Sequence, residues 1–293
     1  MSIYSNKLSD LVERVCRVAL HDWKSGTCTG GTTSTFIDTN RGEGDDYFNS
    51  TTPVSRVRIV TTTDSLAPIG EERNITDWVN STTTGTVGVN FTLAPASGDT
   101  YAILSEFTWE EVRQAINLSI DKVAEIAMTW KVDTSSITTA DDTYEYNLPT
   151  SFMYLYRVTQ ADANGAFDDQ EPIPNDQWII VHTSTPKLRL LRLSTEGEAE
   201  GHYIGDLWAD QFFTASRALR LEGMATPALL TADTDLCSLS PDYIVWQAGA
   251  VLHASRSGQF HQDQAKYCQQ QADKERVLVV PTRPPLGSKR IRE

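Results

Sequence analysis

The chain has 293 residues, of which 39 are acidic and 25 basic, so its formal net charge is −14. At 40 % apolar and 22 % charged it holds ample core-forming material, which excludes wholesale disorder and fits one large domain or two modest ones. A chain this acidic is also a poor wrapper of nucleic acid through its bulk surface.

No apolar run approaches the ~18 residues that span a bilayer. The longest such stretch, 243–254, is interrupted by Gln247 and His253. The opening MSIYSNKLSDLVERV lacks the basic and apolar regions of a secretory signal. Cys16, Cys28, Cys237 and Cys268 lie far apart with no CxxC pair, which argues against a zinc site or disulfide scaffold and fits a reducing compartment. The expectation is a soluble, intracellular protein.

Residues 1–24 read as a helix, because Leu8, Leu11, Val12, Val15, Cys16, Ala19, Leu20 and Trp23 form one stripe at three- and four-residue steps. Gly26, Gly30 and Gly31 end it, and Gly30-Gly31-Thr32-Thr33 reads as a flexible linker rather than a phosphate loop, since no lysine follows. From Thr27 to Thr100 there are eighteen threonines, and β-branched residues at that density favour strands. Strands are expected over 57–60, 74–78, 85–93 and 100–104, with a turn at Pro95–Asp99, so that 25–105 reads as a small barrel or sandwich. Thr108-Trp109-Glu110-Glu111 is a capping box with Phe107 and Val112 as its hydrophobic staple, and a helical face from Trp109 to Trp130 predicts a helix to about Lys131.

Residues 144–222 look β-rich, with strands at 144–149, 152–160, 178–182, 187–193 and 216–222. Ser240 and Pro241 open a last helix whose pattern continues past Gly258 to Cys268. The final stretch, 276–293, carries Arg276, Arg283, Lys289, Arg290 and Arg292 against one acid, a net +4 that leaves −18 on the rest. Pro281, Pro284 and Pro285 keep it extended.

Converging chemistry is scarce. GxSxG, HExxH, GxxxxGK[ST] and GxGxxG are all absent. His21, His182, His202, His253 and His261 show no ligand spacing. On one continuous helix, His253 and His261 would sit about two turns apart, too far to share a metal, so both read as solvated polar positions. Asp162, Asn164, Asp168 and Asp169 resemble part of a calcium loop but lack its full pattern, and a hairpin turn explains them as well. Sequons at Asn49, Asn74, Asn80, Asn90 and Asn117 read as accidents of threonine-rich composition. Asp45, Asp46, Tyr47, Phe48 and Trp78 could line a carbohydrate face, although such aromatics are more often core. The basic tail either contacts phosphates, or docks on an acidic neighbour, or is a solvated end.

Three stretches carry a family resemblance: RVRIVTTTDSLAPIGEERNITDW with GDTYAIL; TWEEVRQAINLSIDKV with YEYNLPTSFMYLYRV and QWIIVHTSTPKLRLL; and LRLEGMATPALLTADTDLCSLSPDYIVWQAGAVLHASR. Their texture and order resemble tailed-bacteriophage head–tail connectors, the neck adaptors, over most of residues 54–260. The resemblance implies a non-enzymatic virion protein that forms a homo-oligomeric ring, a dodecamer, in the neck. Such a ring joins the portal to a downstream neck or tail protein and lines the channel through which DNA passes without specific binding. It also implies that the protein is made in the host cytoplasm and contacts no membrane. No catalytic residue, cofactor or metal is expected, and Arg283, Lys289, Arg290 and Arg292 are the candidate partner-docking residues. The rival readings are another tail or collar protein, or a glycan- or cell-surface-binding protein using 25–105.

The expected fold is α+β: a helical bundle core with a β-rich region (1–24 and 106–277), an inserted small β-barrel or sandwich module (25–105) and an extended basic tail (278–293). Aromatic surface beyond one core's needs suits the heterologous interface that ring closure requires.

Overall fold

In a computed structural model, the structure describes residues 6–49, 54–140, 143–168, 170–191, 216–276, 279 and 283–291. The chain divides into two compact units, 1–122 with 229–279 and 123–228 with 280–293.

The first unit opens with α1 (Leu8–Arg14), which runs on as a π-helical segment, Val15–Leu20, and ends at His21 in the left-handed conformation. Leu8, Leu11, Val12, Val15, Cys16 and Ala19 are all buried, so the apolar stripe forms the inner face. Seven strands follow: β1 (Lys24–Thr27), β2 (Gly30–Thr32), β3 (Thr35–Ile37), β4 (Arg56–Thr61), β5 (Glu72–Val79), β6 (Thr84–Val87) and β7 (Thr100–Leu104), with α2 (Trp109–Asp121) after them. They make one antiparallel sheet in the order β1-β7-β4-β5-β6-β3-β2. The two outermost strands, β1 and β2, are joined by only Cys28 and Thr29, so the sheet must roll round on itself. Irregularities at Ile59/Thr61 and Ile75/Asp77 supply local bend. Inside the roll lie Phe36, Phe48, Val57, Ile59, Ile75, Trp78, Phe91, Tyr101 and Ile103. The Gly30-Gly31 segment is therefore not a linker: it is β2, paired to β3.

One carboxylate joins the two ends of the roll. Asp22, just before β1, accepts the amides of Ser105 (2.8 Å) and Glu106 (2.7 Å), just after β7. The capping box at Thr108 is fully made, with Glu111 N donating to Thr108 Oγ1 at 3.1 Å and Thr108 N to Glu111 Oε2 at 2.8 Å. Two further helices complete the unit, α3 (Pro241–Ala254) and α4 (Gln259–Glu275); α3 packs on α4, on α2 and on the π-helical segment.

The second unit is built from two antiparallel sheets. Its strands are β8 (Thr129–Asp133), β9 (Glu145–Asn147), β10 (Phe152–Gln160), β11 (Trp178–Val181), β12 (Lys187–Leu190), β13 (Leu219–Ala225) and β14 (Lys289–Arg290). The sheet orders are β14-β10-β13-β8 and β11-β12-β9. They enclose a core that includes Phe152, Leu155, Val158, Trp178, Leu188, Leu219, Leu221 and Ile291.

The helical bundle core is thus overturned: sheets of seven, four and three strands dominate, and the helices are few and short. Three segments with helical period proved shorter than they read. The first helix occupies only Leu8–Leu20, and the last breaks in two at Gly258. The middle one stops at Asp121, after which Thr129–Asp133 alternates as a strand, so Trp130 belongs to a sheet. Among the described residues no helix is long and apolar enough to cross a membrane.

Candidate functional site

Three places bring together the residues with chemical potential. The first is where α3 turns into α4. Gly258 adopts φ +111°, a conformation that L side chains rarely adopt, and this reverses the chain between the helices. His253 and His261 therefore face each other across the turn, with Nδ1 to Nδ1 at 3.2 Å. His253 is buried, and its Nε2 lies 3.2 Å from the Ala19 carbonyl; His261 Nε2 lies 3.1 Å from Glu106 Oε1. Phe107 and Phe260 stand edge-on to the His253 ring. Burial pushes the His253 imidazole below its ordinary pKa. The two histidines are not solvated positions on one helix; the glycine between them was the signal. Glu106 carried no sequence signal, because only the Asp22 clamp brings its loop here. No group of three or more His, Cys, Asp or Glu side chains among the described residues is placed to hold a metal ion.

The second place is the four-stranded sheet of the second unit. Of the candidate tail residues, Arg283 is exposed, Lys289 and Arg290 form β14 against Leu155 and Tyr154, and Arg292 lies outside the described residues. The Lys289 ammonium sits 3.9 Å from the centre of the Trp178 ring and donates to the carbonyls of Asn175 and Trp178. Burial pulls its pKa down. At the opposite edge, β8 pairs only with β13 among the described residues. Its Trp130 and Val132 are each 48 % exposed, and Trp130 meets Tyr156 edge-on with ring centres 5.9 Å apart. Glu222, opposite Val132, is buried between Arg157 (3.6 Å) and Arg220 (2.5 Å). The result is an open edge bearing half-exposed aromatic and aliphatic groups.

The third is a cleft of about 570 Å³ on the rolled sheet, lined by Ser25, Thr27, Asp38, Asn40, Arg41 and Glu43. Beneath it Tyr101 Oη donates to the buried Asp38 Oδ2 at 2.7 Å, and Arg41 donates to Tyr101 Oη, to Glu43 Oε1 (2.7 Å) and to the Ser25 carbonyl (3.0 Å). Burial and the Asp38 carboxylate hold the Tyr101 phenol protonated, well above its ordinary pKa. Of the suspected carbohydrate-facing aromatics, Phe48 and Trp78 are wholly buried, and only Tyr47 is exposed, under the Lys24 ammonium.

His202 lies outside the described residues, and the acidic cluster and the cysteines are structural. Asp162 accepts the amides of Asn164 (2.8 Å) and Ala166 (2.7 Å), which is a turn; Asp169 lies outside the described residues. All four cysteines are buried, and burial raises each thiol, Cys28 to about 12 and Cys268 to about 11, far from a reactive thiolate.

No protein-family model matches the chain, and no curated protein sequence matches it either.

Proposed function

We propose that this chain is a non-enzymatic structural subunit of a tailed-phage neck, closing into a ring between portal and tail around the DNA path. The observation that carries the reading is the open edge of the four-stranded sheet. Strand β8 leaves one row of backbone groups unpaired by any described residue and shows Trp130 and Val132 half-exposed beside it. Such edges invite pairing unless they are blunted, and a heterologous ring interface is one way to cover them. Lys131, between them, turns to the opposite face, with its ammonium 5.7 Å from the Phe152 ring centre, so the outward side of the edge is apolar. The order of segments that resembles neck adaptors supports the same class, and the reading does not need a helical bundle. An acidic body would let DNA slide without phosphate capture.

The test is mass photometry of the full chain, alone and with a portal ring. Ring-sized particles are expected, and Trp130→Glu with Val132→Glu should lose them while the circular dichroism spectrum is kept. A wild-type chain that stays monomeric and never joins a portal would sink the reading. Deleting 278–293 is a poor test of tail docking, since Ile291 belongs to the core; Arg283→Glu with Arg290→Glu tests it directly.

The polar cleft around Asp38, Asn40, Arg41 and Glu43 favours the glycan-binding alternative. Glycan-array binding by the full chain, lost in Asn40→Ala, would support that reading.

A further inference from the structure

We propose, on the footing of the ring reading, that the groove between α3 and α4 is a socket for residues 203–213 of a neighbouring copy, a second contact of the same ring. The groove has a volume of about 520 Å³, and its apolar lining is Ala250, Val251 and Ala254 of α3 with Ala265 of α4. Small side chains on two adjacent helices leave a hollow where larger ones would interlock. Lys122, just after α2, and Lys266 on α4 stand on its border. The polar part of that border is bonded to itself, with Lys122 Nζ donating to Gln247 Oε1 (3.2 Å) and Gln247 Nε2 to Gln269 Oε1 (3.3 Å).

For a chain of net charge −14 this lining is unusual: it holds two lysines, three glutamines and no acid. Lys266 has Asp263 at 4.0 Å, but both side chains are well exposed and water screens such a pair. The groove therefore suits an occupant that is apolar where it enters and negatively charged around that point.

One segment of this chain has that composition. Residues 192–215 lie outside the described residues. From 193 to 216 the sequence holds five acids and no lysine or arginine. Tyr203, Ile204, Leu207, Trp208, Phe212 and Phe213 crowd into 203–213, more large apolar groups than a segment leaves in water without cost. Ile204, Leu207, Trp208 and Phe212 recur at three- and four-residue steps, the pattern by which an amphipathic helix enters an apolar groove, and Asp206 and Asp210 fall off that stripe. The segment is tethered at Leu190 in β12 and Leu219 in β13. Out and back, 192–215 can reach about 40 Å at ~3.3 Å per residue, enough to cross a subunit contact. The basic tail is a poorer occupant, because it sets like charge against two lysines and is already built into β14.

The receptor for the test is the full chain carrying Trp208→Asp and Phe212→Asp, which leaves its groove free, and the probe is a fluorescein-labelled peptide of residues 199–215. Fluorescence anisotropy should show saturable binding, tighter at about 50 mM than at about 500 mM salt. Ala254→Glu with Lys266→Glu in the receptor should weaken it by about tenfold or more. Both positions are exposed, so the fold is kept, as circular dichroism checks. No saturable binding, equal binding of a scrambled peptide, or binding indifferent to the groove substitutions would overturn the proposal. Binding lost instead with Trp130→Glu and Val132→Glu would put the segment on the β8 edge and overturn it as well. If the peptide binds the groove but mass photometry finds only wild-type monomers, with and without a portal, the ring reading fails while docking in the groove stands. If rings form and Ala254→Glu with Lys266→Glu leaves them intact, the socket falls and the ring reading stands.

Discussion

A buried carboxylate survives only when its partners are fixed, and Asp38 shows how narrowly that is met. It is 2 % exposed, and it is held by the Tyr101 hydroxyl at 2.7 Å and by the Asn40 amide at 3.0 Å, with Arg41 at 3.8 Å. Space for this cluster exists because residue 26 is glycine: a Cβ there would collide with both Asp38 Oδ2 and Tyr101 Oη. Removing one partner of a buried group costs more than the bond itself, because the other is left desolvated. Tyr101→Phe should therefore lose about 1–3 kcal/mol in a urea melt. A loss of only a few tenths would show that Asp38 is held by Asn40 and Arg41 alone. None of these roles was legible in the residues themselves. Asp38, Arg41 and Tyr101 stand at unremarkable spacings, and only the rolled sheet brings position 101 over position 38.

At the scale of elements, signals carried by adjacent residues were legible and those needing a remote partner were not. The capping box at Thr108 and Glu111 depends on residues three apart and is made as read, and Phe107 and Val112, read as its staple, are both buried. Thr108→Ala should cost about 1 kcal/mol, measured by chemical denaturation. A neutral result would mean that Glu111, already bound to Arg256, caps the helix end without the threonine. The strands at 56–61, 72–79 and 100–104 likewise followed from local alternation. Helix length was misjudged in each case where a helical period continued by chance into another element. Trp130 fits a helical face by spacing, yet β8 is paired residue by residue with β13, nearly a hundred positions away. Gly258 looked tolerable inside a helix, but its positive φ makes it the corner of a hairpin, and this corner creates the histidine pair.

For the molecule as a whole, acid should be the revealing variable. Burial lowers the His253 pKa in the folded state, so the unfolded chain takes up the proton first as pH falls below about 6.5. The stability tied to a neutral His253 is thus fully present above that value and is lost as pH falls towards the lowered folded one. The melting temperature should fall as pH drops below about 6.5, and His253→Gln should flatten that limb. An identical limb in the variant would assign the loss to other groups. Assembly belongs to the same scale. If the open edge of β8 is a ring contact, covering it should raise the melting temperature with protein concentration, and Trp130→Glu with Val132→Glu should abolish that dependence.

Length, charge and local pattern by themselves determined that the chain folds, where many of its strands and caps lie, and that its last eighteen residues carry net positive charge against an acidic body. These are properties of near neighbours and of sums, and they need no knowledge of which segments meet. Tertiary structure alone decided that sheets rather than a helical bundle build the molecule. It rolled seven strands into one module, inserted Ile291 and Lys289 of the basic tail into the second unit, and set His253 against His261 and Glu106. Each of those outcomes depends on pairing between distant positions. A one-dimensional period is blind to that pairing, because the burial and hydrogen bonds that decide it exist only once the chain has closed on itself.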